Sequence, residues 1–314
     1  MKPLVVLTGP TAVGKTNLSI KLAKFLNTEI ISADAVQVYK HLDIGSAKIS
    51  KEEMGGVNHH LIDICEIDED YSVNSFKEEA LIAMDEIYAS GKIPLIVGGT
   101  GFYIQSILKD VDFTSFDTDE EYRNSLYELA ETKGADYLHN MLKEVDEEAA
   151  KAIHPNNIKR VARALEYFKL TGKKISHHNE TESQKVSPYN YLYFVLSKDR
   201  SMLYERINQR VDKMFDDGFE DEVKKLIALG AKPEYNSMQG IGYKELLSYY
   251  NNSDMSLEET KDLIKQNTRH YAKRQMTWFR REDDVIYLDT DKFTDDELLQ
   301  IIIDKMKEKG MINV

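Results

Sequence analysis

Residues 4–16 read LVVLTGPTAVGKT, a short apolar run that feeds a Gly-x-x-x-x-Gly-Lys-Thr loop and then a helix-like segment. No other stretch constrains the chain so tightly, because it asks for a buried strand, a phosphate cradle and a helix N-terminus in immediate succession. Gly9 and Gly14 permit backbone angles and a close approach that a Cβ would block, so successive N–H groups converge on one anion. The start of the helix adds positive potential. Lys15 supplies a point charge for terminal phosphate oxygens, and the Thr16 hydroxyl is placed to ligate a magnesium ion.

Which phosphate compound the cradle holds is a separate question. Loops of this kind that hydrolyse nucleoside triphosphates are usually paired with a second apolar strand ending in Asp, which holds the magnesium shell and positions water. The best candidate here, Ile93 to Val97, ends instead in Gly98, Gly99, Thr100 and Gly101. The expectation is a pyrophosphate site, with chemistry in which phosphate departs still in play.

Strand-like runs recur at Leu4 to Leu7, Glu29 to Ser32, His60 to Ile64, Ile93 to Val97, Tyr191 to Leu196 and Val285 to Leu288, with helical patterns between most of them. That alternation predicts an α/β fold: a P-loop core with a parallel sheet flanked by helices. Ser75 to Glu78 reads as a capping box opening a helix over 75–89, closed by Gly91 and Pro94. Past Asp112 the organisation changes. Asp117 to Glu121 is an acidic helix start, and from Thr118 to Leu170 helix follows helix with no strand-like run. Residues 112–189 are therefore read as an all-helical insertion between core segments 1–111 and 190–314. The polar stretch His177 to Pro188 is the expected mobile connection, and an amphipathic helix runs from Met202 to Asp217.

Composition sets outer limits. The chain has 314 residues, 42% hydrophobic and 30% charged, and no run approaches the length of a membrane helix. Met1 stands at the first strand with no signal peptide, so a cytosolic protein without membrane attachment is expected. Cys65 is the only cysteine, which excludes an internal disulfide and a cysteine-based zinc site. The pairs His59–His60 and His177–His178 lack the spacing of metal ligands. A net charge of −13 argues against generic nucleic-acid binding, yet two segments oppose the average. Lys159, Arg160, Arg163, Lys169, Lys173 and Lys174 fall within 156–174 against Glu166 alone. Arg269, Lys273, Arg274, Arg280 and Arg281 fall within 269–281 with no acid, interleaved with Tyr271, Trp278 and Phe279. Basic columns with aromatics suit a phosphate backbone and unpaired bases, although such aromatics also serve to pack a helix on its core.

Chemistry is expected where strands end. Asp34 stands at the tip of the second strand, either in a magnesium shell or as a base. Thr100 offers a hydroxyl beside the same place. Arg206 and Arg210, four apart on one helical face, suit a departing pyrophosphate. The residues alone leave open a small-molecule kinase using ATP and a non-catalytic RNA-binding module.

GPTAVGKT, ISADAVQVY, DIGSAK, HHLIDI, VGGTGFYI, RVARALE, RINQRVDKM, QGIGYKE and KRQMTWFRR, in that order over nearly the whole chain, closely resemble the tRNA dimethylallyltransferases, also called tRNA isopentenyltransferases. The resemblance implies transfer of a dimethylallyl group from its diphosphate to the exocyclic amine of the adenosine 3′-adjacent to the anticodon. It implies a P-loop core whose helical insertion grips the anticodon stem of tRNA, with magnesium as cofactor, and a monomer is expected. Asp34 matches the general base and Thr100 its hydrogen-bonding partner. Gly9, Pro10, Thr11, Ala12, Val13, Gly14, Lys15 and Thr16, with Arg206 and Arg210, match the diphosphate site, where Lys15, Thr16 and Arg206 would share in catalysis. Contacts to tRNA are implied for Asp34, Ala35, Val36, Gln37 and Thr100, for Arg123, and for Lys159, Arg160, Val161, Ala162 and Arg163. They are implied further for Met238, Gln239, Gly240, Ile241, Gly242 and Tyr243, and for Lys273, Arg274, Gln275, Met276, Thr277, Trp278, Phe279 and Arg280. The target nucleotide would have to flip out of its stack. One position departs from the pattern: Ala35 replaces the usual Ser, so no role of that hydroxyl carries over.

Overall fold

Five of the six apolar runs lie on strands and the third, His60 to Ile64, meets one only at His60: β1 (Lys2–Thr8), β2 (Ile30–Ala33), β3 (His59–His60), β4 (Leu95–Gly98), β5 (Tyr189–Ser197) and β6 (Val285–Asp289). In the computed structural model, which describes residues 1–112, 119–251 and 254–313, they form one parallel sheet in the order β3-β2-β4-β1-β5-β6. Crossovers cover both faces of such a sheet, so β1 and β5 are buried without alternation from Leu4 to Thr8 and from Leu192 to Leu196. The third run is shorter than its apolar pattern. Leu61 and Asp63 take φ of 63° and 57°, which no extended strand accommodates, and the chain rejoins only at a Tyr39–Cys65 bridge.

The helices are α1 (Lys15–Leu26), α2 (Lys51–Met54), α3 (Val73–Ala89) and α4 (Gly101–Leu108), then α5 (Glu120–Lys133), α6 (Ala135–Val145), α7 (Glu147–Ala152), α8 (Ile158–Thr171) and α9 (Ile175–Ser183). After β5 come α10 (Arg200–Asp216), α11 (Phe219–Ala228), α12 (Tyr243–Tyr250), α13 (Leu257–Phe279) and, past β6, α14 (Asp295–Glu308). The capping box of α3 sits at Ser72, not Ser75: Ser72 is extended, its hydroxyl accepts from the Ser75 N–H, and the Ser75 hydroxyl accepts from the Ser72 N–H in return. Most of the polar stretch read as a connection is helical, since α9 runs to Ser183. Its Glu182 carboxylate accepts from the Asp112 N–H at 2.8 Å and pairs with Lys185. The acidic start at Asp117 and Thr118 lies outside the described residues. Asp119 caps α5, accepting from the Tyr122 N–H at 2.9 Å.

Two compact units result, Met1–Ile107 with Tyr189–Val314, and Leu108–Pro188. In the first, Val5, Leu7, Leu18, Leu22, Phe194 and Ile302 belong to one core, while Val38, Leu42, Phe219, Met238, Tyr243 and Ile264 form another. Leu126, Leu138, Leu142, Val161 and Leu165 fill the helical unit. No helix among the described residues is long and apolar enough to cross a membrane.

Strand register positions the site. Gly98 pairs with Thr8 on one side and Ala33 on the other, so the segments after β1, β2 and β4 leave the sheet side by side. The Thr8 hydroxyl donates to the Gly98 carbonyl at 2.6 Å. A Cβ on Gly98 would stand 2.1 Å from the Ala33 carbonyl oxygen, which explains the glycine.

Candidate active site

The loop after β1 takes left-handed or glycine-only angles at Gly9 (φ 151°), Ala12 (62°) and Gly14 (108°) before α1 begins. A Cβ at Gly9 would meet the Leu196 carbonyl at 2.7 Å. Lys15 turns back over the loop, its Nζ donating to the Gly9 and Pro10 carbonyls at 2.9 Å each. Burial, reinforced by the Arg210 guanidinium, pulls the Lys15 ammonium down to about 8, with Asp34 opposing. Arg210 reaches the Thr11 hydroxyl at 3.4 Å, and burial lowers its pKa as well. A Cβ on Gly14 would lie 3.9 Å from an Arg206 nitrogen. Among the described residues, none of these three cations has an ion-pair partner.

Lys15, Thr16 and Asp34 line one cleft with Ser19, Ser32, Gln37, His59 and an apolar wall of Ile30, Ile49, Ile62 and Val97. Asp34 Oδ1 accepts from the Val36 and Gln37 N–H groups at 2.9 and 3.3 Å; its Oδ2 has no protein partner among the described residues. Thr100 meets the same turn: its N–H donates to the Ala33 carbonyl at 3.1 Å and its hydroxyl accepts from the Ala35 N–H at 3.2 Å. No group of three or more His, Cys, Asp and Glu among the described residues is disposed to hold a metal. The Thr16 and Asp34 oxygens suit instead a hard cation that draws most of its shell from phosphate and water.

Support comes from distant segments. Gln37 Nε2 donates to the Ser46 and Ala47 carbonyls. The buried Glu222 carboxylate of α11 accepts from the N–H groups of Asp43, Ile44 and Gly45 and from the Tyr243 hydroxyl, between 2.7 and 3.1 Å. Gln275 of α13 accepts from the Thr11 N–H and donates to the Gly99 carbonyl, both at 2.9 Å.

The remaining sequence-picked positions divide between surface and core. On α13, Lys273, Arg274, Thr277 and Arg280 are exposed, Met276 and Trp278 half-buried, and Gln275 and Phe279 buried. Met238, Gly242 and Tyr243 are buried, Gly240 and Ile241 are half-buried and Gln239 is exposed. In the helical unit Lys159 and Arg160 are exposed, while Val161 and Ala162 pack its core. Arg123 grips the fully buried Glu166 through both Nε and Nη2, and Arg163 joins the same carboxylate at 3.1 Å. The sequence reading passes over Glu222 and places Tyr271 only among the aromatics of the second basic stretch. His59 is read from sequence only as a possible metal ligand; it opens β3, so no strand-end signal marks it. Its Nδ1 faces the Val57 carbonyl at 3.0 Å, and burial lowers its pKa.

The class is a parallel α/β protein with a glycine loop after its first strand and a carboxylate on one cleft. A family model described as IPP transferase matches residues 37–282, and the chain belongs to that family. It is 57% identical over 310 residues to a tRNA dimethylallyltransferase of Lachnoclostridium phytofermentans, covering 97% of this chain and 99% of that one. Among solved structures it resembles the tRNA isopentenylpyrophosphate transferase of Bacillus halodurans, with 44% identity, 99% of each chain covered and a TM-score of 0.74. A eukaryotic dimethylallyltransferase described as acting on tRNA is 31% identical, with 98% of this chain and 80% of that one covered and a TM-score of 0.81.

Proposed function

We propose that this chain transfers the dimethylallyl group of dimethylallyl diphosphate to the exocyclic amine of the adenosine 3′-adjacent to the tRNA anticodon. The observation that carries the reading is the single cleft in which an anion-binding loop, a half-free carboxylate and an apolar wall meet. Family membership supports it, as do the activities named for the relatives.

The loop N–H groups, Lys15, Arg206 and Arg210 hold the diphosphate, and Ile30, Ile49, Ile62 and Val97 shelter the prenyl chain from water. The amine's lone pair is delocalised into the purine, so it attacks well only if its proton has somewhere to go. As the allylic carbon–oxygen bond breaks, its electron pair leaves with the diphosphate. The amine lone pair forms the new carbon–nitrogen bond, and Asp34 Oδ2 takes the proton. Val36 and Gln37 fix Oδ1, which aims the other oxygen, and Thr100 stands beside it to orient the amine. Charge growing on the leaving group meets cations that no carboxylate has neutralised. Magnesium, held by Thr16 and the diphosphate, would supply further neutralisation of the departing oxygens. The exposed faces of α8 and α13 offer Lys159, Arg160, Lys273, Arg274 and Arg280 to the tRNA backbone. The enzyme would work in the cytoplasm, as a monomer.

The test incubates purified protein with magnesium, dimethylallyl diphosphate and unmodified tRNA, followed by mass spectrometry of nuclease fragments. One added prenyl mass on the adenosine beside the anticodon is expected. Transfer of the γ-phosphoryl of ATP to a metabolite, with no mass added to tRNA, overturns the reading.

A further inference from the structure

Gln275 is buried on the inner side of α13 with both amide heteroatoms engaged. Its partners fix its orientation: the Thr11 N–H only donates and the Gly99 carbonyl only accepts. One turn earlier, the half-buried Tyr271 lies beside Thr100 and Gln275. Three residues later Trp278 lies so close to Gly101 that a Cβ there would be 2.3 Å from the indole. At Gly99 a Cβ would be 2.4 Å from Gln275 Nε2. One stripe of α13 thus rests on Gly99, Thr100 and Gly101 in succession, and from that stripe Gln275 reaches across to the phosphate loop.

We propose that Gln275 is a positioning residue that locks the diphosphate loop to the loop carrying Thr100, so that filling the first is transmitted to the second. The inference rests on the transferase reading above. The two loops hold opposite ends of the reaction, the leaving group and the acceptor amine. Displacing one against the other by about 1 Å lowers the rate about 100-fold. The amide oxygen and nitrogen of Gln275 are both engaged by loop backbone. Removing its amide leaves a buried N–H and a buried C=O unpaired, and the loops separate to regain partners.

Trp278 is the only tryptophan in the chain, and its indole N–H is buried without a partner, so its emission reports on the loop at Gly101. Full-length wild type, Gln275→Met and Gln275→Glu, each with magnesium, are titrated with inorganic pyrophosphate while tryptophan emission and heat of binding are recorded. In wild type the emission change is expected to follow the binding heat. Both variants should bind pyrophosphate with affinity close to wild type but without the emission change. Their kcat should fall about 100-fold with the KM for dimethylallyl diphosphate nearly unaltered. If Gln275→Met fails to fold, Gln275→Glu decides, because it keeps the acceptor for Thr11 and loses only the donor to Gly99. An emission response that persists in the variants overturns the proposal, as does wild-type binding with no response. So does a fall in melting temperature that accounts for the whole loss of activity. Failure of wild type to bind pyrophosphate overturns the transferase reading and this inference together.

Discussion

The sheet unit and the helical unit treat positive charge in opposite ways. In the helical unit, Arg123 and Arg163 converge on Glu166, a carboxylate with no solvent exposure of its own. In the sheet unit, Lys15 and Arg210 are drawn inward with only carbonyls and a hydroxyl as hydrogen-bond partners among the described residues. The first arrangement is self-sufficient: the charges satisfy one another and fix the spacing of α5 and α8. The second is deliberately incomplete, and burial shifts both cations toward their neutral forms. An anion entering that cleft regains the lost stabilisation, whereas one approaching Arg123 must compete with Glu166. The same residue type therefore carries different meanings in the two units.

The sharpest test of that contrast is at the carboxylate of the incomplete site. Asp34→Asn should lower single-turnover prenyl transfer about 1,000-fold while pyrophosphate and tRNA still bind by calorimetry and filter assay. Undiminished turnover would remove Asp34 from the chemistry. Lys15→Met should reduce kcat/KM for dimethylallyl diphosphate about 100-fold and leave tRNA affinity unchanged.

Next comes the self-sufficient site, where Glu166→Ala should destabilise the protein by about 3 kcal/mol in denaturant unfolding, at the low end because both arginines keep some water. A smaller tRNA effect belongs to the neighbouring exposed cations. Lys159→Gln and Arg160→Gln should each flatten the slope of log K against log salt by about 1, whereas Arg163→Gln should mostly lower stability through Glu166. The smallest effect is on pH. Since Lys15 is depressed to about 8, the free protein loses that proton as pH rises through 8, and pyrophosphate affinity should weaken above it. In Lys15→Met that dependence should vanish.

The difference between the units also explains what the sequence could disclose. The inner strands β1, β2, β4 and β5 were legible because a doubly covered parallel strand is a continuous apolar run, and the glycine loop because its angles admit few residues. Asp34, Thr100 and the arginines were legible as polar residues at strand ends or on one helical face. His60 to Ile64 looked like a full strand because apolar content does not reveal the left-handed turns at Leu61 and Asp63. The capping box slipped from Ser75 to Ser72 because both serines have a hydrogen-bonding residue three positions on. His177 to Ser183 is polar, and polarity alone does not distinguish a surface helix from a loop. Glu222 and Gln275 were unreadable as braces for another reason: their partners are backbone groups far along the chain, and backbone groups leave no mark in the sequence.

Gly98 carries a consequence of its own. Asp34 follows directly on Ala33, whose carbonyl oxygen leaves no room for a methyl group on the facing strand. The spacing between Asp34 and the glycine loop after β1 is therefore machined into the sheet. Gly98→Ala should pry β2 from β4 and carry Asp34 away from the glycine loop.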